Sequence, residues 1–215
     1  MNINIKELQE HILNDIKNVP SQNSFDYTTF GKEIEVFITD SMSNYFTKIG
    51  ISKFKIAPDK NYFPDFELID DKIALEIKAG RNNANPENDM GTLNSWTKKL
   101  NKFNDNIYYV FVKYGCDDDD TVNKIDDVFI DKVYKFIGEN RAGTLKYREK
   151  DGNLRPKSWE DFESGTSYVH NITEFKTKLN STNLYRAYRI AAKKIKDLQD
   201  YPEYMEKLKK EFFSN

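Results

Sequence analysis

The sequence holds a single cysteine, Cys116, so no disulfide can form within the chain. Its two histidines, His11 and His170, are far apart and lack cysteine partners, which argues against a zinc site. No run of about 18 apolar residues occurs, so nothing reads as a membrane-spanning helix. The N-terminus has no apolar leader segment and reads as an amphipathic helix, and the expected setting is the cytoplasm. An excess of positive charge is missing as well: 33 Lys and Arg face 35 Asp and Glu, a net charge of −2. If the partner is nucleic acid, the basic residues must therefore be gathered locally. Aromatic residues, by contrast, are plentiful, with 13 Tyr, 15 Phe and 2 Trp among 215 residues. With 38% hydrophobic and 32% charged residues, this describes a folded chain with a wet surface, and its length suggests one domain.

The most informative stretch is Tyr62-Phe-Pro-Asp-Phe-Glu-Leu-Ile-Asp-Asp-Lys-Ile-Ala-Leu-Glu-Ile-Lys78. Two runs alternate apolar and polar residues, as half-buried strands do, around the turn formers Asp70 and Asp71. If those two form a two-residue hairpin loop, positions summing to 141 face each other, and Asp65 stands opposite Glu76. Their Cβ atoms would then be about 4.5–5.5 Å apart. Lys78 projects from the same face, while Ile73, Leu75 and Ile77 point into a core. Opposed carboxylates repel, and folding alone gives no reason to place them there. A divalent cation does, because hard cations take oxygen ligands and often only one or two protein carboxylates.

The pattern Pro64-Asp65, ten residues, then Glu76-Ile77-Lys78 resembles the catalytic signature of the PD-(D/E)XK nucleases. The rest of the chain extends the resemblance. A helix expected from about Thr29 to Ile49 carries Glu33 and Glu35 near its start, where the helix dipole alone would favour acids. PD-(D/E)XK nucleases often place an acidic residue on such a helix, and Gly31-Lys32-Glu33-Ile34 makes Glu33 the preferred choice over Glu35. After Lys78 comes the polar loop Gly80–Asp89. Arg81, Asn82, Asn83 and Asn85 are positioned there to meet phosphate or adenine edges, unless the loop is simply solvated. A short helix over Gly91–Phe103 brings Asn94, and puts Lys98, Lys99 and Lys102 on its polar side, as DNA contacts or as ordinary solvated lysines. The apolar run Ile107–Tyr114 then reads as a central buried strand. A helix opening with Met-Gly-Thr between two such strands looks like the EcoRV-like branch of the type II restriction endonucleases.

Farther on, the acid run Cys116–Asp120 reads as a solvated turn, and Ile125–Ile130 as another strand. From Arg141 to Lys157 the charge turns basic. Around Asp151-Gly152 a hairpin is expected, presenting Lys146, Arg148, Arg155 and Lys157 to a DNA groove or to its phosphates. Its plain alternative is an exposed hairpin with lysines guarding its edge. The C-terminal third reads as a short helix to about Leu179, then a longer one burying Leu184, Ala187, Ala191, Ile195 and Leu198. A last helix follows through Met205, Leu208 and Phe212.

The expectation is an α/β fold: a restriction-endonuclease-like core with a central mixed β-sheet of about five strands flanked by helices, plus a C-terminal helical subregion. One nuclease domain spans 1–215, divided into N-terminal helices (1–50), a catalytic α/β core (51–140), a basic hairpin (141–160) and C-terminal helices (161–215). The resemblance implies a type II restriction endonuclease that hydrolyses double-stranded DNA to 5′-phosphate ends, at a palindromic site and with blunt cuts. Asp65, Glu76 and the Ile77 carbonyl would bind Mg²⁺, with Mn²⁺ able to substitute and Glu33 contributing where two metals act. Lys78 would orient the attacking water. The resemblance also implies a homodimer and a companion DNA methyltransferase. A structure-specific repair or junction nuclease and a non-catalytic DNA-binding domain remain as alternatives.

Overall fold

Ile5, Leu8, Ile12 and Ile16 wind into α1 (Ile5–Ile16), where the Asn4 side chain accepts a hydrogen bond from the Glu7 amide and caps the first turn. The computed structural model describes residues 3–59, 62–199 and 202–212. A short α2 (Val19–Gln22) takes Pro20 in its first turn, where a missing N–H costs nothing. Asp26 caps α3 (Tyr27–Lys48) by accepting from the Thr28 amide at 2.7 Å. Gly50, at φ +83°, ends it, and the Ile51 amide returns to the Phe46 carbonyl.

The chain then builds one five-stranded sheet in sequential order. Its strands are β1 (Phe54–Ile56), β2 (Phe66–Leu68), β3 (Ile73–Arg81), β4 (Ile107–Cys116) and β5 (Val122–Lys132). β3 and β4 are parallel, joined by α4 (Trp96–Phe103), and every other pair is antiparallel. This is the mixed α/β sheet with flanking helices that the sequence predicts.

Each face of the sheet has its own core. Ile73, Leu75 and Ile77 pack with α1 and α3. Ala74, Tyr109 and Phe111 face the other way, onto α4 and onto α5 (Val133–Phe136), α6 (Trp159–Glu163) and the first turns of α7 (Ile172–Gln199). Period-2 alternation along β3 thus sorts its residues between two helical layers, and Glu76 and Lys78 fall on the α4 side.

Two expectations for the C-terminal part need correction. The basic segment is a loose ribbon held by isolated bridges, Tyr147 to Leu154 and Glu139 to Leu145, with a four-residue loop over 149–152. α7 is one continuous helix of 28 residues rather than two. Its early turns are buried at Phe175, Leu179 and Thr182, but Leu184, Tyr188 and Ile195 are 72%, 71% and 53% exposed, and Ala187 and Ala191 are exposed too. The apolar stripe that periodicity predicts is there, but nothing among the described residues covers it. α8 (Pro202–Phe212) packs against α7. The expected burial of Leu198, Met205, Leu208 and Phe212 falls on side chains outside the described residues.

Candidate active site

The hairpin pairs Phe66 with Leu75, Glu67 with Ala74 and Leu68 with Ile73, the register in which positions sum to 141. The loop is longer than expected, four residues over 69–72, with Lys72 in the left-handed region at φ +50°. The register holds because apolar residues on both strands must reach the same core, whatever the loop length. β2 stops at Phe66, so Asp65 emerges just beyond the ladder. Its Oδ2 accepts the Ile77 amide at 2.6 Å. Alternate residues of β3, beginning with the Ala74 amide on the Asn106 carbonyl, bond toward β4. Ile77 is out of phase with them and turns both its N–H and its C=O toward Asp65.

Glu76 and Lys78 project from the same face, and the Lys78 Nζ donates to Glu76 Oε1 at 2.7 Å. Asp65 and Glu76 are nearly buried, at 6% and 9% exposure. Burial and the Glu76 charge push the Asp65 carboxyl up to about 7, despite the opposing pull of Lys78 and the Ile77 amide. Burial pulls Lys78 down, but Glu76, Asp65 and Glu35 outweigh it and hold the ammonium above its ordinary value. Tyr109, paired with Glu76 across β3–β4, stays a neutral phenol well above its usual value through burial and the two carboxylates, and donates to the Met90 carbonyl.

The acidic residue of α3 that acts on this cluster is Glu35, which corrects the preference for Glu33. Glu35 appears among the charges acting on Asp65 and on Lys78, and its own carboxyl is raised by burial, with Lys78 and Glu76 as its charged neighbours. We expect Glu35→Gln to slow any metal-dependent cleavage by about tenfold and Glu33→Gln to leave it unchanged. Equal effects in a steady-state cleavage assay would refute the assignment.

Lys99, expected on the polar side of α4, instead comes within the field of the cluster. Burial lowers it to about 8, with Glu76 and Asp65 pulling back up and Lys78 pushing further down. Its signal in the sequence is spacing: Lys99 follows Trp96 by three residues, so it shares the buried face of α4, whereas Lys98 is exposed. Lys102 pairs with Glu67 at 2.8 Å.

The other expected DNA contacts fare unevenly. Arg81 is an odd residue of β3 and leaves from the face opposite Lys78. Its guanidinium lies 4.5 Å from the Tyr27 ring centroid and pairs with Asp120 at 2.9 Å, so it does not begin beside the cluster. Asn82 is spent on Asp126 at 2.6 Å. Lys157 is buried, donates to the Thr166 carbonyl and lies near the rings of Phe136 and Phe162, where burial lowers it. Lys146 is folded back onto the Pro156 carbonyl. Arg148 pairs with Asp151 and Asp89, and Arg155 with Asp89 at 3.1 Å, which ties the ribbon to the polar loop. Asn83, Asn85 and Asn94 are exposed, and Asn94 accepts from Asn183 of α7.

Oxygen donors dominate the cluster, and two facts suit a hard cation. Glu76 Oε2 is buried with no hydrogen-bond partner, and Asp65 is held in a charge environment that penalises its ionised form. Among the described residues no three His, Cys, Asp or Glu side chains converge as a ready-made metal cluster. A pair of carboxylates and a carbonyl is a ligand set of the kind Mg²⁺ accepts.

An open-edged mixed sheet with this cluster beside its short hairpin is a restriction-endonuclease-like fold. A solved structure titled "NlaIV restriction endonuclease" superposes with a TM-score of 0.56 at 19% identity, over 74% of this chain and 65% of its own. The chain thus spans just under two thirds of that neighbour's length. No curated protein matches the chain in sequence. Residues 26–212 match the NgoBV restriction endonuclease family, and the chain belongs to that family.

Proposed function

We propose that the protein is a type II restriction endonuclease that cuts double-stranded DNA by metal-dependent hydrolysis within a single nuclease domain. The observation that carries this reading is the meeting of Asp65, Glu76, Lys78 and the Ile77 backbone at the open end of the β2–β3 hairpin. Asp65, Glu76 and the Ile77 carbonyl would hold Mg²⁺ or Mn²⁺. When bound, the metal lowers the pKa of water and offsets charge on the phosphoryl oxygens. Lys78, whose ammonium lies beside Glu76, would orient the attacking water and donate to the developing charge. The 5′-phosphate product follows from the family resemblance. Cleavage at a palindrome, blunt ends and a companion methyltransferase belong to the same reading.

One such site per chain cuts one strand, so a double-strand cut calls for two copies related by symmetry. The exposed stripe of Leu184, Tyr188 and Ile195 on α7 supports that pairing, since exposed apolar faces of this kind mark interaction surfaces. Replacing Leu184 with Glu should shift the protein from dimer to monomer in sedimentation velocity, and an unchanged sedimentation coefficient would remove α7 from the interface.

The function itself is tested with long duplex DNA, with and without Mg²⁺. Discrete metal-dependent bands are expected. A smear, or preference for branched substrates, would replace the reading with a structure-specific nuclease, and binding without cleavage would end it.

A further inference from the structure

Lys157 is the one lysine buried among the described residues, at 4% exposure, and it makes no ion pair there. Its ammonium has three hydrogens to donate and gives one to the Thr166 carbonyl, just after α6, where Gly165 and Thr166 are exposed. The ring centroids of Phe162 and Phe136 lie 5.2 and 5.8 Å from it. Burial lowers the lysine against the pull of Asp161 and Asp131, and Lys135 pushes the same way as burial. Neither acid is free to answer it. Asp161 accepts from the Ser158 hydroxyl at 2.8 Å and the Tyr168 hydroxyl at 3.1 Å, and Asp131 accepts from the Lys132 amide at 2.7 Å. A buried ammonium with one neutral acceptor is held at a cost that an anion relieves.

Beside Lys157 is a cavity of about 250 Å³, open to solvent. Phe129, Phe136 and Phe162 give it aromatic walls, and Lys157, Lys135 and Asp131 are its charged groups. Two lysines against one aspartate leave the lining net positive. Its other polar side chains are already engaged, Gln9 by the Ile130 amide and Ser167 by the Val169 carbonyl. The space lies below the ~300 Å³ at which pockets for drug-sized ligands begin, so it suits one ring or a short chain.

We propose that this cavity binds a small organic carboxylate, with its apolar body among the rings of Phe129, Phe136 and Phe162 and its carboxylate on the Lys157 ammonium. Such a pair is charge-assisted, and the donor already stands in place. An inorganic anion leaves the aromatic walls unused, and a dicarboxylate sets a second charge against Asp131. None of these residues belongs to the Asp65, Glu76 and Lys78 cluster, so the site stands apart from the nuclease reading.

Trp159 reports on the cavity, because its ring packs against Phe162 and Phe129 with centroids 5.1 and 6.1 Å away. In ¹H–¹⁵N spectra of the intact chain, sodium benzoate titrated against chloride at equal ionic strength should move the Trp159 indole signal saturably. The expected dissociation constant is about 1 mM or tighter, and benzyl alcohol, with the same ring and no charge, should bind at least about tenfold more weakly. Lys157→Met keeps the length of the side chain and removes an unpaired buried charge, so it should raise the melting temperature. The same variant should bind benzoate no better than benzyl alcohol. Movement that has not saturated by about 20 mM marks an adventitious additive only and overturns the proposal. Equal affinity for benzyl alcohol, or benzoate binding that survives Lys157→Met, overturns it as well. If Lys157→Met does not fold, the preference of the parental protein for benzoate over benzyl alcohol decides alone.

Discussion

Lys78→Met is expected to lower DNA cleavage by roughly 100- to 10,000-fold while leaving DNA binding nearly intact. The lysine is mostly buried, and its ammonium sits 2.7 Å from Glu76, within the field of Asp65. Methionine keeps the length of the side chain and its packing but cannot donate to a water or to a phosphoryl oxygen. The same change leaves Glu76 and Asp65 facing each other without a compensating cation, and breaking such a pair costs about 3–5 kcal/mol when it is fully buried. Loss of activity could then reflect loss of fold. A Lys78→Met/Glu76→Gln double variant separates the two, because it removes the uncompensated charge. Thermal unfolding should show the double variant more stable than the Lys78→Met single variant, with both remaining inactive. Cleavage by either variant at the parental rate would sink the role given to Lys78.

Asp65→Asn should abolish cleavage and yet stabilise the metal-free protein at pH 8. In the folded state the carboxyl is raised to about 7, chiefly by burial and then by Glu76. A folded-state value above the unfolded one means that the protonated form is favoured by folding. The stability it contributes is fully present below the ordinary carboxylate range and is lost as pH rises through about 7. An amide escapes that loss and can still reach the Ile77 amide through its carbonyl oxygen. The gain at pH 8 should be on the order of 2 kcal/mol, worth several degrees in melting temperature, and should shrink toward pH 5. Added Mg²⁺ should reverse the order, since a ligand bound to the native state stabilises it by mass action and the Asn variant lacks one charged ligand. Melting curves at pH 5 and 8, with Mg²⁺ or a chelator, measure all four cases. A less stable Asn variant in metal-free buffer at pH 8 would show that Asp65 is not held against its charge.

The hairpin was legible because its information is local. Ile73, Leu75 and Ile77 on one strand and Phe66 and Leu68 on the other must share faces, so the register survived a loop of four residues where two were expected. The same alternation, followed three residues past Lys78, places Arg81 on the opposite face. For the basic ribbon, charge density along the sequence does not say who neutralises it. Asp89 answers Arg148 and Arg155 from about sixty residues away, and Lys157 is buried beneath the rings of Phe136 and Phe162. Glu33 and Glu35 differ by two positions on a helix, so they leave it on different sides. Only the docking angle of α3 decides which meets the sheet, and that angle is a tertiary fact. On α7 the apolar periodicity was real, but a stripe does not reveal whether its cover lies in the same chain.

The abrupt end of β2 has a consequence for the proline of the Pro64-Asp65 pair. One further rung in the same register would set position 64 against Ile77, and both bonds of that rung would join those two residues. Proline has no amide hydrogen to give the Ile77 carbonyl, so that half of the rung cannot form. The other half is taken over by the carboxylate next door, which receives the Ile77 amide. Pro64 and Asp65 thus work as a chain terminator: one residue withholds a donor and the other intercepts one. What is left is a carbonyl oxygen that Pro64 cannot pair, beside Asp65 and Glu76, where the strand stops one residue early.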